Sequence, residues 1–426
     1  MAEEQFFQMF LNRLRESVGR LTPLELQSSS LKNSYLSKWN PCEESVKPGG
    51  AIVACDGSIG ESSFSGGLVV LIARAIAHIY NKDGGLESIM EVDAEANYGL
   101  QGRPLFMKTL ELRVLRNALE KALQGHETAF GIFDGSLYLT FLHYREHLRR
   151  VAWIFEKYVR ELASLLKLTE KNIAVIGFSK DSDINYLRAK IVLDVVKSLG
   201  ADSMLEVTRG RRIKSLRERL EKAGNKPENA LLQACMEELK NDLSDEGIYS
   251  ELAPNPGFTT PLLLAPQTLF LTGESKARNW WGTSFRDLLK SDATLKGVLE
   301  ALDEYFSTTP VALSYWRPVE MFGVYRLDVP SNLLDYKGAC GDLSDDRFMD
   351  DKACLERMRK LISFLNWMRQ GPHIVYPLVE VDTIARLDRE LYKNAYEPVI
   401  VDELKRRGFK VSPRRRSIRD LVLRGY

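Results

Sequence analysis

Two apolar runs in this 426-residue chain end in the same triplet. Ile52-Val53-Ala54-Cys55 leads into Asp56-Gly57-Ser58, and Phe130-Gly131-Ile132-Phe133 leads into Asp134-Gly135-Ser136. Short apolar runs bounded by turn residues read as buried strands. An Asp at the end of such a strand stands where a buried sheet opens to solvent, the place where α/β proteins hold ligands. The following Gly permits close backbone approach. Asp-Gly-Ser is also a good turn sequence, so the repeated triplet supports a structural and a functional reading equally.

The pattern between and after the triplets sets the fold class. Residues 66–80 read as a second strand continued into a third, and Pro104 suits the first turn of a helix. That helix keeps an apolar face through Leu110, Leu112, Val114, Leu115, Ala118, Leu119, Ala122 and Leu123 until Gly125. A long charged helix is expected over 138–168 and a further strand over 173–178, followed by Ser179-Lys180-Asp181. Later come a strand pair at 311–315 and 322–327 and helices at 351–369 and 379–396. Between about 200 and 300 the pattern breaks into charged helical pieces at 213–223 and 230–243, a Pro-rich bend at 253–257 and a strand candidate at 268–271. This is an α/β chain with a mixed central sheet flanked by helices and a helical insertion or cap in its middle.

Composition closes several routes. The chain is 44% hydrophobic and 27% charged, enough for a sizeable core and against general disorder. Its net charge of +1 excludes a uniformly basic nucleic-acid coat but not a local basic patch. The five cysteines form no CxxC pair, so zinc-finger spacing and a disulfide framework are both absent, and reduced thiols are expected. The first twenty residues carry Glu3 and Glu4 before an amphipathic stripe of Phe6, Phe7, Phe10, Leu11 and Leu14, which is unlike a signal peptide and suits either core or partner docking. The apolar run 67–73 is far short of a membrane span, so a cytoplasmic protein with no membrane partner is expected. No repeat of 20 to 50 residues and no GxxxxGK[ST] phosphate loop is present.

Glu111 is the third acidic element. Its neighbours at 110, 112, 114 and 115 are apolar, so it sits close to the buried face of the helix between the two triplets. As a border residue it would pair with Arg113; pushed inward, it must be paired or bind a cation. Asp on a strand, Glu on a helix and Asp on a strand is a layout for a hard cation with oxygen ligands, Mg²⁺ or Mn²⁺ rather than zinc. Such a site can activate water and steady the leaving oxygen of a phosphodiester.

The ordered set ACDGS at 54–58, TLELRVL at 109–115, FDGSL at 133–137, GFSKD at 177–181 and YP…VD…AR at 376–386 resembles the NurA nucleases, DNA-end-processing partners of the HerA translocase. The resemblance covers about residues 50–400. It implies an RNase H-like fold in which Asp56, Glu111 and Asp134 are the catalytic carboxylates and ligands of Mn²⁺ (or Mg²⁺). In the family a Tyr-Pro pair is followed by an Ala-His pair whose His completes the metal site. Here Tyr376-Pro377 is followed by Val381-Asp382, so Asp382 replaces that His at a shorter spacing. His373 is the nearest imidazole and the other candidate for that ligand position. Tyr376 would orient substrate or water, or simply pack. Lys180 would face a phosphate, or point into water. By the same resemblance the protein would be a homodimer bound to a hexameric HerA-type ATPase, cutting single-stranded DNA and resecting duplex ends from 5′ to 3′ in double-strand-break repair.

Two basic features bear on DNA. One is the stretch from Arg209 to Arg219, with Arg211 and Arg212 at its centre; the other is Trp280-Trp281 among Lys276, Arg278 and Arg286, a mix of rings and charge suited to single strands. Each has a bland counterpart, a solvated helix face and core tryptophans. The expected units are an N-terminal segment 1–45, a nuclease domain 46–400 with its insertion at about 200–300, and a basic tail 401–426. The alternatives are another RNase H-like nuclease acting on RNA or junctions, and an inactive scaffold of the same fold, for which Asp382 in place of His is the one indication. A sugar hydrolase using two carboxylates is weaker, since nothing sets one of them as the acid.

Overall fold

The computed structural model describes residues 2–18, 29–139, 148–199, 230–238, 243–266, 295–320, 323–343, 345–370 and 374–411. Its centre is built from β2 (Ala51–Ser63), β3 (Leu68–Tyr80), β4 (Leu86–Tyr98), α3 (Arg103–Gly125), β5 (Ala129–Asp134), α4 (Leu148–Leu168) and β6 (Ile173–Ser179). The strands lie in the order β4-β3-β2-β5-β6. β3 runs antiparallel to both β2 and β4, whereas β2, β5 and β6 are parallel. Three meandering strands followed by two parallel ones, each of the latter reached through a helix, is the RNase H-like arrangement.

Local chemistry explains the elements. The parallel strands β5 and β6 are nearly all buried, as strands covered on both faces must be, and read as continuous apolar runs. α3 buries Leu105, Phe106, Leu110, Leu112, Val114, Leu115, Ala118 and Leu119 between the sheet and α4, and Glu111 stands among them. The first triplet does not end its strand. β2 runs on through Asp56-Gly57-Ser58 to Ser63 because β3 supplies a pairing partner along that whole length. The second triplet does end one: β5 stops at Asp134. The continuation of the second strand into a third is present as β4, a separate strand that lengthens the meander by 13 residues.

Among the described residues the sheet has 11 strands. β10 (Tyr325–Pro330) pairs antiparallel with β6 and with β9 (Val311–Arg317), extending the order to β1-β7-β9-β10-β6-β5-β2-β3-β4. β1 is Trp39–Pro41 and β7 is Gly257–Thr259; β8 (Leu262–Leu263) pairs with β9 and with β11 (Arg347–Phe348) off this path. The late strand pair expected from the sequence is therefore present, with both strands ending later than expected.

The remaining helices are α1 (Ala2–Val18), α2 (Ser29–Leu36), α5 (Tyr186–Ser198), α6 (Ala230–Glu238), α7 (Asp245–Leu252), α8 (Lys296–Phe306), α9 (Lys352–Trp367), α10 (Tyr376–Ala385) and α11 (Glu397–Arg406). The long helix expected over 379–396 is broken after Ala385; Asp388 then accepts a hydrogen bond from Leu391 N at 2.7 Å and caps a new turn. Short strands β12 (Arg369–Gln370) and β13 (Ile374–Val375) lead into α10.

The described part of the 200–300 region is helical in α6 and α7 and gives β7 and β8 to the sheet; the strand candidate at 268–271 lies outside the described residues. α5, α6 and α7 are tied by buried charge. Asp245 accepts from the N–H groups of Leu187 and Arg188 at 2.9 and 2.8 Å, and Arg188 Nε donates to Glu238 Oε1 at 3.0 Å. α2 joins this core through Leu31 and Tyr35. α1 does not: Phe6, Phe7, Phe10 and Leu14 are exposed. All five cysteines are buried and unpaired with one another. Among the described residues no helix is long and apolar enough to cross a membrane.

Candidate active site

The register of the parallel strands brings the two Asp-Gly-Ser motifs together. Cys55 on β2 pairs with Phe133 on β5, so Asp56 and Asp134 follow side by side on adjacent strands. β5 ends there while β2 continues, which opens a notch in the sheet at the two carboxylates. Asp56 is 8% exposed, and its Oδ1 accepts a hydrogen bond from Gly57 N at 2.8 Å. Burial and then the charges of Glu111 and Asp134 push the Asp56 carboxyl up to about 7, against the Gly57 N–H and the Lys108 ammonium.

Glu111 enters from α3. A Cβ on Gly57 would lie 2.7 Å from Glu111 Cγ and Oε1, so the glycine of the first motif is what admits this side chain against the strand. Cys55 Sγ, on the same side of β2, donates to the Glu111 carbonyl oxygen. The Glu111 carboxylate is 1% exposed, and among the described residues neither oxygen has a hydrogen bond of good geometry. Among these residues its one close counter-charge is Lys108, whose Nζ lies 2.7 Å from Oε2; Arg113 is engaged by Glu91 and Asp93 instead. Burial raises the Glu111 pKa, with Lys108 opposing and Asp134 adding to the rise.

The serines of the two motifs are anchors. Ser58 Oγ accepts from Leu387 N at 2.8 Å, just beyond the end of α10. Ser58 stands opposite Arg74 of β3 in register, and Arg74 Nε donates to Ala385 O at 2.7 Å and its NH2 to Arg386 O. Together they pin the C-terminal end of α10 over β2 and β3. Asp56 pairs with Ile76 and so shares the face that α10 covers. Ser136 Oγ donates to the buried Asp328 Oδ2 at 2.6 Å and fixes the turn after β5 to β10.

α10 carries two of the expected residues. Asp382 is exposed and lies near enough to Lys180 to act on its charge. Lys180 follows β6 and donates to Asp134 Oδ2 at 2.7 Å; burial opposes its charge, but Asp134, Asp56 and Asp382 outweigh that and raise its pKa. Tyr376 opens the helix at 39% exposure, beside Tyr80, whose hydroxyl donates to Glu380. His373, Arg211, Arg212, Trp280 and Trp281 lie outside the described residues.

The structure thus gathers Asp56, Glu111, Asp134 and Lys180, with Asp382 at the margin. Sequence reasoning missed Lys108, Ser58, Ser136 and Arg74; for Lys108 the spacing of one helical turn before Glu111 was the available signal. Buried carboxylate oxygens without hydrogen bonds, beside two further carboxylates, are the donor chemistry a hard divalent cation takes. Among the described residues no three His, Cys, Asp or Glu side chains converge as ligands; the ammonium groups of Lys108 and Lys180 lie within the cluster and hold two of its carboxylates.

The chain matches the NurA domain over residues 50–387, a span that includes every carboxylate of the cluster. No curated protein matches it. Among solved structures it is similar to the NurA nuclease from Sulfolobus solfataricus, at 12% identity and a TM-score of 0.48, over 97% of this chain and 100% of that one. A second NurA crystal structure gives 12% identity and a TM-score of 0.39, over 94% of this chain and 97% of that one. A NurA structure with manganese gives 13% and 0.33, over 94% and 98%. On the match that spans most of its length, the chain belongs to the NurA family of nucleases.

Proposed function

We propose that the chain is a divalent-metal-dependent DNA nuclease that cuts single strands and resects duplex ends from 5′ to 3′ during double-strand-break repair. The observation that carries this reading is the packing of the buried Asp56 and Glu111 against the part-exposed Asp134 at the end of β5, with both Glu111 oxygens lacking a hydrogen bond of good geometry. Mutual repulsion of this kind is relieved by a cation, and a phosphodiester is the substrate class such a cation serves.

Asp56, Glu111 and Asp134 would hold Mn²⁺ or Mg²⁺, with Asp382 of α10, whose charge acts on Lys180, as a further oxygen donor. When bound, the ion would lower the pKa of the attacking water and neutralise charge on the leaving oxygen. Lys180, about half exposed beside Asp134, is placed to take a substrate phosphate oxygen. Tyr376, at the solvent-facing start of α10, would orient the strand that enters beneath it. Ser58 and Arg74 keep α10, and so Asp382, seated over the notch. The catalytic unit spans 46–400, and a HerA-type hexameric ATPase and a second copy of the chain are the partners that fit this family reading.

Nuclease activity on 5′- and 3′-labelled single-stranded DNA, with Mn²⁺, Mg²⁺ or EDTA, tests the proposal directly. Cutting that requires metal and is lost in Asp56→Ala and Asp134→Ala is the expected result, with the label pattern giving polarity. Activity confined to RNA or junctions would move the reading to another RNase H-like nuclease. No cutting in any metal, alone or with the HerA-type partner and ATP, would leave a scaffold.

A further inference from the structure

We propose that Lys108 is the resident cation of the carboxylate cluster, a positioning residue that holds Glu111 and the end of β5 together and is displaced outward when a divalent ion enters. The inference rests on the metal-site reading above and adds a residue to it.

Lys108 precedes Glu111 by three positions on α3, so the two side chains lie on one face of the helix. Its Nζ is 2.7 Å from Glu111 Oε2 and donates to the carbonyl oxygen of Asp134 at 2.5 Å. The ammonium stands 5.0 Å from the centre of the Phe133 ring, within cation–π range. A Cβ on Gly135 would come within 3.2 Å of Nζ, so the glycine of the second motif leaves room for this ammonium as that of the first leaves room for Glu111. One cation thus bridges the helix that supplies Glu111 and the strand that supplies Asp134.

Two features make this a replaceable cation rather than a fixed ion pair. Lys108 keeps 28% of its side chain exposed, so a four-carbon stem can carry the ammonium into solvent without opening the core. Arg326, the buried cation paired with Asp328 two strands beyond β5, keeps only 7% and has no such route. A metal ion that takes either oxygen of Glu111 brings its charge beside the ammonium that now faces Oε2. Two cations repel across one carboxylate, so entry of one weakens the other by the same free energy. Lys108 keeps the carboxylates assembled, and the cost is a lower affinity for metal.

Two measurements on the full-length protein test this: calorimetric titration with Mn²⁺, and acylation of lysines by an amine-reactive ester, read at Lys108 by peptide mass spectrometry. Lys108 is expected to be protected in EDTA and acylated several-fold faster in saturating Mn²⁺, a change that a general electrostatic role would not produce. Lys108→Met should bind Mn²⁺ roughly tenfold more tightly than wild type, the size of an ordinary coupling between sites. It should also melt at a lower temperature in EDTA, with the gap closing in Mn²⁺. Should Lys108→Met fail to fold, Lys108→Arg, which keeps the charge in a form less easily displaced, should bind Mn²⁺ more weakly than wild type.

Acylation of Lys108 that Mn²⁺ leaves unchanged or reduces, or a Met variant that binds Mn²⁺ no more tightly, would overturn the role of Lys108 while leaving the metal site standing. A wild type that binds neither Mn²⁺ nor Mg²⁺ would sink the metal site, and this role with it.

Discussion

Glu111 and Asp328 are equally buried, each 1% exposed, and belong to the same sheet-centred core. Their surroundings differ. Asp328 accepts from Ser136 Oγ, from the N–H groups of Leu137 and Tyr138, and from both arms of Arg326. Both oxygens are engaged, and the pair cross-links β10 to the turn after β5. Among the described residues Glu111 has a single ammonium at its edge and no hydrogen bond of good geometry, and it lies beside two more carboxylates. A buried charge with a full set of donors is a structural joint, whereas one left short of donors is tolerated only where a ligand completes it. The contrast separates architecture from function within one sheet.

The largest effect should come from the underpaired cluster and appear in activity, not in folding. Asp56→Ala or Asp134→Ala is expected to lower metal-dependent cleavage by about three orders of magnitude, the worth of several kcal/mol of charge stabilisation, with an unchanged circular dichroism spectrum. The satisfied cluster should respond in the opposite way. Asp328→Ala leaves Arg326 buried without its partner and should cost about 3–5 kcal/mol in denaturant unfolding. Equal stability losses at Asp56 and Asp328 would erase the distinction.

The pH dependence sharpens it. The Asp56 carboxyl is raised from 3.8 to about 7 in the folded chain. Its contribution to stability is therefore fully present below its unfolded pKa and is lost as pH rises through about 7. In EDTA, Asp56→Asn should remove that loss, so that wild type gains on the order of 2 kcal/mol more than the variant between pH 8 and pH 5. Asp245, also raised to about 7 by burial, acts with the same sign in both proteins and cancels in the comparison. A wild type whose pH profile parallels that of Asp56→Asn would contradict the repulsion within the cluster.

Smaller effects test the margins. Gly57→Ala drives a methyl group to within 2.7 Å of Glu111 and should cost about 1–3 kcal/mol in stability while weakening Mn²⁺ binding. Lys180 and Asp134 form a partly exposed pair, so Lys180→Met should change stability by less than about 1 kcal/mol. Its effect should appear in DNA affinity, with the salt dependence of binding reduced by about one counter-ion.

The sequence made the carboxylates readable because each ends or interrupts an apolar run, a pattern that burial imposes. It also marked β2, β5 and β6 as strands, since each opens on a continuous apolar run. β4 was legible only as a continuation of the second strand, without bounds, although its residues alternate between the solvent and α3: Glu91 and Asp93 face Arg113, and their acidity disguised the period of two. Lys108 was passed over because a lysine at the rim of an apolar helix face usually reaches into water. What turned it inward was the end of β5, a long-range neighbour that helical spacing does not reveal. The serines of the motifs were likewise legible only as turn residues; their partners, Leu387 and Asp328, lie far along the chain.

The most direct test of the account is thermal unfolding of wild type and Asp56→Asn, each in EDTA and in Mn²⁺. If the cluster is held short of donors for a cation, Mn²⁺ will raise the wild-type melting temperature by several degrees, as ligand linkage requires. Asp56→Asn will then melt no lower than wild type in EDTA and will not respond to Mn²⁺. A wild type indifferent to Mn²⁺, or a variant that melts well below wild type in EDTA, would mean that Asp56 is a structural joint like Asp328.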